Sequence, residues 1–291
     1  MIPATFEYHR PSTLQDAVTL LGRLGDDAKV LAGGQSLIPL MKLRLASPRH
    51  VIDLNRISGL GSIAERDGAL VIGALVRESE LEASDLVRRR FPILADACRV
   101  IADPVVRNLA TVGGNLAHGD PANDHPAVML ALEAEVVALG AKGTRRIPVA
   151  GFFTGPLATA LAPGEILTEI LIPLPPPRSG GAYLKMERKV GDFATAAVGV
   201  QLTLGDNGTC ARVGIGLTNV GPTPIKAQRA EGLLRGHRAD DAVIREASRA
   251  AAGESDPAED LRGSVEYKRD LVRVLAARAI RRALERAGAT H

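Results

Sequence analysis

The spacing of apolar residues changes period repeatedly along the first 60 positions. Leu14, Ala17, Val18, Leu20 and Leu21 recur at helical spacing, just behind Ser12 and Thr13, either of which can cap a helix. Gly25 and the acidic pair Asp26–Asp27 end that run, and residues 28–32 then form an unbroken strand-like stretch. A helix follows through Leu37, Leu40, Met41 and Leu43, with Ser36 as its cap and Pro39 early enough to be tolerated. Val51 to Leu54 reads as a second strand, so residues 28–54 predict a strand–helix–strand unit. Phe6 to Arg10, stopped by Pro11, predicts a short edge strand.

Residues 60–77 alternate in the manner of a hairpin. Ile63–Ala64 and Leu70–Ala74 flank Arg66-Asp67-Gly68, the pattern of a hairpin. Helices are expected at about 78–86 and 91–101, and another with Pro126 in its first turn. Glu135–Leu139 and Arg145–Val149 predict paired strands around Gly140-Ala141-Lys142-Gly143. The run Pro173-Leu174-Pro175-Pro176-Pro177 then marks a domain boundary. Beyond it, 182–189, 194–204 and 210–217 predict three antiparallel strands, the last two joined by a turn at Asp206-Asn207-Gly208. Helical patterns close the chain at about 223–235, 239–252 and 266–287. The fold class expected is α+β: a first domain over 1–177, with subdomains of about 1–56 and 57–177, and a second over 178–291 made of a three-stranded antiparallel sheet packed with helices.

Composition narrows the function classes. The 291 residues are 46% hydrophobic, 24% charged and only 3% aromatic, with no Trp, so the cores rest on Ala, Val, Leu and Ile. A net charge of +3 is small, and Arg88-Arg89-Arg90 and Arg281-Arg282 fit solvated helix faces; no nucleic-acid partner is expected. Cys98 and Cys210 are too few and too far apart for a disulfide framework, a zinc site or an iron–sulfur cluster. No stretch approaches the ~20 apolar residues of a membrane span, and the N-terminus lacks an apolar targeting segment. A cytoplasmic protein is expected. His118 and His125 flank a polar loop without Cys or acidic partners at ligand spacing, and His50 and His237 stand isolated, so no metal site is expected. Nor does a catalytic acid, base or nucleophile stand out.

Two glycine pairs carry the remaining chemistry. Gly33-Gly34 follows the strand-like stretch 28–32, and Gly113-Gly114 lies 80 residues on. Without Cβ atoms, such pairs let backbone N–H groups converge on an anion; tight turns needing positive φ use them equally well. Neither pair fits G-x-G-x-x-G or G-x-x-x-x-G-K-[ST], which removes the Rossmann and P-loop readings.

The wider strings are more specific. Lys29 to Arg44 reads KVLAGGQSLIPLMKLR and Thr111 to Ala127 reads TVGGNLAHGDPANDHPA. With the opening FEYHRPSTL from Phe6 and the stretch Tyr183 to Gly199, the sequence resembles the FAD-binding medium subunits of the molybdenum hydroxylases, of the carbon monoxide dehydrogenase and xanthine dehydrogenase type. The resemblance spans essentially the whole chain. It implies an FAD-binding domain of the PCMH/vanillyl-alcohol-oxidase type and a flavoprotein C-terminal domain.

It also implies roles. Gly33, Gly34, Gln35 and Ser36, flanked by Leu31, Ala32 and Leu37, would wrap the FAD pyrophosphate. Thr111, Val112, Gly113, Gly114 and Asn115 would cover its other side. Asp124 would meet the nucleotide, although it equally suits a helix N-cap. Ile101 and Leu167 would pack on adenine or flavin, or simply fill the core. Lys185 would stand beside the flavin, and Asp192-Phe193 near its ring system; a Lys in an alternating strand is otherwise solvated. The molybdenum cofactor and the iron–sulfur clusters would lie in large and small partner subunits, in a dimer of heterotrimers. Electrons would pass through FAD to a quinone, NAD or another acceptor. The alternative is a self-sufficient FAD-dependent oxidase or reductase, for which residues 180–291 supply no evident substrate site.

Overall fold

The structure, a computed structural model, describes residues 1–288. Its N-terminal sheet unit holds β1 (Glu7–His9), α1 (Leu14–Leu24), β2 (Ala28–Leu31), α2 (Leu37–Lys42) and β3 (His50–Asp53). The three strands are parallel in the order β1-β3-β2. Thr13 caps α1 by accepting from the Asp16 N–H at 3.1 Å. The α1 stripe Ala17, Val18 and Leu21 is buried with Ile52 and Leu54, and Leu60, Leu75 and Ile166 close the same core from later in the chain.

The chain continues through β4 (Ile63–Arg66), β5 (Ala69–Gly73), α3 (Glu78–Ala83), α4 (Asp85–Arg90), α5 (Pro92–Cys98), α6 (Pro104–Arg107), α7 (Val112–His118) and α8 (Asp124–Ala131). It continues with β6 (Glu135–Gly140), β7 (Gly143–Pro148), the small hairpin β8 (Phe153–Gly155) and β9 (Ala158–Thr159), and β10 (Ile166–Pro173). The sheet order is β4-β5-β10-β6-β7, antiparallel throughout. The β4–β5 turn puts Asp67 and Gly68 at φ 52° and 75°, as a two-residue hairpin turn requires. The single helix expected at 78–86 is two, because Ser84 leaves the helical region and its hydroxyl caps α4. The helix expected to reach 101 stops at Cys98.

The C-terminal domain consists of β11 (Ser179–Met186), β12 (Ala196–Leu204), β13 (Cys210–Thr218), β14 (Ile225–Lys226), α9 (Gln228–Leu234), α10 (Asp241–Glu254) and α11 (Val265–Gly288). Its sheet has four strands where three were expected, because Ile225 and Lys226 pair with Leu217 and Gly216. The helix expected from Thr223-Pro224 therefore begins only at Gln228. A two-residue strand carries no period for the sequence to reveal.

One face of this sheet, through Val198, Val200, Leu202, Ile215 and Leu217, packs on α9 to α11; Ala276, Ala279 and Ala283 of α11 keep that helix close. The other face meets α5 and α8. A Cβ on Gly214 or Gly216 would lie 2.0 Å from the Ala131 carbonyl oxygen or 1.9 Å from that of Ala127, so only glycine admits α8 at this distance. Arg286 of α11 grips Asp96 of α5 with two bonds of 2.6 and 3.0 Å. Among the described residues, no helix is long and apolar enough to cross a membrane.

Candidate cofactor site

The two glycine stretches meet in space. A Cβ on Gly33 would sit 2.2 Å from the Leu109 carbonyl oxygen and 2.8 Å from the Ala110 Cα, and one on Gly114 would sit 3.4 Å from the Ala32 Cβ. Gly33 is thus what lets the first loop close on the segment leading into the second. Gly34 takes φ 75°, in the region where L side chains are strained.

A side-chain strut holds the junction. Arg77 donates to the Asn55 Oδ1 at 2.5 Å, and its guanidinium also donates to the Leu109 carbonyl. Asn55 in turn donates to the Ala32 carbonyl at 2.8 Å, and its backbone N–H is held by Asp53 at 2.8 Å. The Arg77 backbone bridges Thr111. Sequence reading missed both Arg77 and Asn55, which no motif spacing connects: their partners lie 22 and 32 residues away.

What the loops offer differs between them. The backbone N–H groups of Gly33, Gly34, Gln35 and Ser36 have no protein acceptor among the described residues. Ser36 stands at the start of α2 but its hydroxyl makes no cap bond, contrary to the expected role, so it too is uncommitted. The stretch Thr111 to Asn115 is no open loop; it is the first turn of α7, capped by Thr111. The N–H groups of Gly113, Gly114 and Asn115 are spent on the Ala74 carbonyl, the Thr111 hydroxyl and the Thr111 carbonyl. Val112 is buried in the core. What remains is the Asn115 side chain, whose buried Oδ1 has no partner among the described residues.

Asp124 and Lys185, expected separately beside the nucleotide and the flavin, are bonded to each other in a buried setting. Asp124 is the first residue of α8, after Asn123 at the cap, and its buried carboxylate accepts from the Tyr183 hydroxyl at 2.6 Å and Lys185 Nζ at 3.0 Å. Tyr183 and Lys185 stand two apart on β11, so both project from one face. Lys185 is no solvated strand residue: its side chain is 2% exposed and also donates to the Val100 carbonyl at 2.9 Å, with Glu187 3.4 Å away. Burial raises the Asp124 carboxyl above the usual carboxylate range, and Lys185 and Tyr183 oppose that rise. Burial, then the Asp124 charge, pushes the Tyr183 phenol well up.

Ile101, beside Val100, is buried, and Leu167 lies in the core beneath β10. Asp192, on the loop between β11 and β12, is held by Arg262 at 3.1 Å and accepts the Phe193 N–H, leaving the Phe193 ring half exposed. His125 has an acidic partner after all: fully buried, its Nε2 lies 2.7 Å from the Glu78 carboxylate, 47 residues away in sequence.

Comparison with known proteins places this architecture in a class of flavin-binding subunits. Residues 4–175 match the FAD binding domain in molybdopterin dehydrogenase, and residues 181–283 match the CO dehydrogenase flavoprotein C-terminal domain. The chain belongs to this family of molybdopterin dehydrogenase flavoproteins. Within it, the chain is 45% identical over 289 residues to the carbon monoxide dehydrogenase medium chain of Hydrogenophaga pseudoflava, covering 99% of each. It is 30% identical to a xanthine dehydrogenase FAD-binding subunit of Escherichia coli O157:H7, covering 97% of each. A solved Hydrogenophaga pseudoflava carbon monoxide dehydrogenase superposes with a TM-score of 0.96 at 46% identity, covering 98% of this chain and 99% of that one. Quinoline 2-oxidoreductase from Pseudomonas putida 86 gives 0.92 at 31% identity, covering 100% of both.

Proposed function

We propose that this chain carries FAD as the medium, electron-relaying subunit of a multi-subunit molybdenum hydroxylase. The observation that carries this reading is the row of four N–H groups at Gly33 to Ser36 without a protein acceptor, closed against the segment before Thr111. A diphosphate is the ligand that a row of free backbone donors suits, since two negative phosphates need many short-range donors and few side-chain cations. On the second stretch, the Asn115 Oδ1, without a partner among the described residues, adds an acceptor for a hydroxyl or ring N–H. The residues present therefore fit FAD.

In this reading Leu31 to Leu37 hold the pyrophosphate, with Gly33 and Gly34 admitting it and Ser36 donating its hydroxyl. Thr111 to Asn115 build the opposite wall, where Thr111 fixes the α7 turn and Asn115 presents its side chain. Asp124, bonded directly by both Lys185 and Tyr183, ties the start of α8 to β11 beside Ile101, and Leu167 backs the wall from the core. Bound FAD would supply the exchange of electrons between iron–sulfur clusters of a partner and an external acceptor such as a quinone or NAD.

The partners this requires are a large molybdenum-cofactor subunit and a small iron–sulfur subunit, assembled as a dimer of heterotrimers in the cytoplasm. The FAD-binding domain, of the vanillyl-alcohol-oxidase type, runs over 1–177 with a subdomain boundary near 56, and the flavoprotein domain over 178–291. The test is flavin content: the purified chain, or the assembled complex, shows the flavin band near about 450 nm or regains it on adding FAD. Absence of FAD from both would overturn the proposal, and turnover of an organic substrate by the isolated chain would instead favour a self-sufficient flavoenzyme.

A further inference from the structure

We propose that Glu7, His9 and His50 form a binding site for a divalent transition-metal ion, with Zn²⁺ the best match. The site is built by strand register. Glu7 and His9 stand two apart on β1 and so share a face, and β1 pairs in parallel with β3, which sets His50 directly beside Glu7. The sequence had left His50 isolated because 41 residues separate it from His9.

The three donor atoms form a triangle. His9 Nε2 lies 3.1 Å from His50 Nδ1, and the Glu7 Oε2 lies 3.3 Å from His50 Nδ1 and 3.8 Å from His9 Nε2. Zinc bonds of about 2.0–2.1 Å to nitrogen and oxygen span a tetrahedral edge of roughly 3.3 Å, so one ion fits above this triangle with little movement. Two imidazoles and one carboxylate are a donor set of borderline softness, suited to Zn²⁺. The histidine side chains are 25% and 18% exposed and that of Glu7 is 72%, which leaves the outer coordination position to water.

Among the described residues, one other group of this kind exists: Glu78, Cys98 and His125. It lacks these properties. All three are fully buried, the Glu78–His125 separation of 2.7 Å is that of a hydrogen-bonded ion pair, and burial followed by the Glu78 charge pushes the Cys98 thiol well up, away from thiolate.

The ion would do structural work. Strand β1 has three residues and occupies the sheet edge, where few ladder bonds hold it. A metal bridging β1 to β3 clips that edge down, at the end of the sheet opposite the Gly33 loop. Binding and flavin loading are thus separable.

The test uses the full chain, stripped with a chelator and titrated with Co²⁺ as a spectroscopic probe, then displaced with Zn²⁺. The expected result is one equivalent with the intense visible bands of four-coordinate cobalt, and an unfolding midpoint that rises with Zn²⁺ concentration. His9→Gln and His50→Gln each weaken binding by at least about tenfold, whereas His118→Gln leaves it unchanged. The exposed Glu7→Gln keeps the fold and still shifts the cobalt spectrum. No cobalt bands up to about 1 mM, or equal affinity in the His9→Gln/His50→Gln double variant, would overturn the proposal.

Discussion

Arg77 donates to the Asn55 side-chain oxygen at 2.5 Å, and through this contact the carbonyls of Ala32 and Leu109 share one hydrogen-bonded frame. Two loops far apart in sequence are thereby held at a fixed distance. Arg77→Ala removes the frame and leaves the apolar cores untouched. FAD affinity should fall roughly tenfold, about 1.4 kcal/mol, with a small change in the unfolding midpoint. Flavin-fluorescence titration measures it, and an unchanged affinity would remove Arg77 from the site's architecture.

Gly33→Ala should be far more damaging than its size suggests. The added methyl meets backbone atoms of Leu109 and Ala110, which cannot rotate away. The loops must separate, at a cost of about 1–3 kcal/mol, and the purified variant should carry little flavin. Gly22→Ala, where nothing lies within 4 Å, is the matched control and should retain it.

Lys185→Met should reveal the buried Asp124 carboxylate. With its cation gone, the charge costs about 3–5 kcal/mol. Because the folded-state pKa of Asp124 is already raised, the native protein takes up a proton there more readily than the unfolded chain does. Stability from this group is therefore greatest at acid pH and falls as pH rises through the raised value. Removing Lys185 pushes that value further up, so the variant should lose more stability at pH 7 than at pH 5 in paired urea titrations. Adding Asp124→Asn should recover part of the loss.

His125 titrates with the opposite partner. Burial disfavours its charged form, but the adjacent Glu78 carboxylate outweighs this and raises its pKa. The stabilisation is fully present below the ordinary histidine value of about 6.5 and fades as pH rises through the raised folded value. Urea midpoints should accordingly drop between near-neutral and alkaline pH. Glu78→Gln should flatten that dependence; an equally steep one in the variant would assign it elsewhere.

The sequence was most legible where a period persisted over several turns or strands. The α1 stripe, the β4–β5 hairpin and the Ala-rich α11 all form where apolar spacing placed them. Strand β10 went unread although it is central to the five-stranded sheet, because in Ile166 to Pro173 the adjacent Thr168 and Glu169 interrupt both mainly apolar faces, leaving neither alternation nor a helical stripe. The turn of α7 hid inside the second glycine stretch, since two glycines argue against a helix until Thr111 is seen to cap it. Asp124 and Lys185 were singled out through the family strings, yet their burial and mutual bond were not, because a Lys in a strand looks solvated until its partner from α8 is in place. Arg77, Asn55, His9 and His50 act through contacts between distant segments, for which one sequence holds no sign.

Gly214 and Gly216 carry a consequence for where this chain can be cut. Helix α8, which begins at Asp124, lies with the carbonyls of Ala127 and Ala131 against bare backbone of β13. A fragment ending at the proline run would expose that side of α8, lose Tyr183 and Lys185 from Asp124, and strand Asp96 without Arg286. The proline run is a covalent link without being a line of thermodynamic independence. Proteolysis there should release a nicked but still associated pair of pieces, which separate only when both unfold.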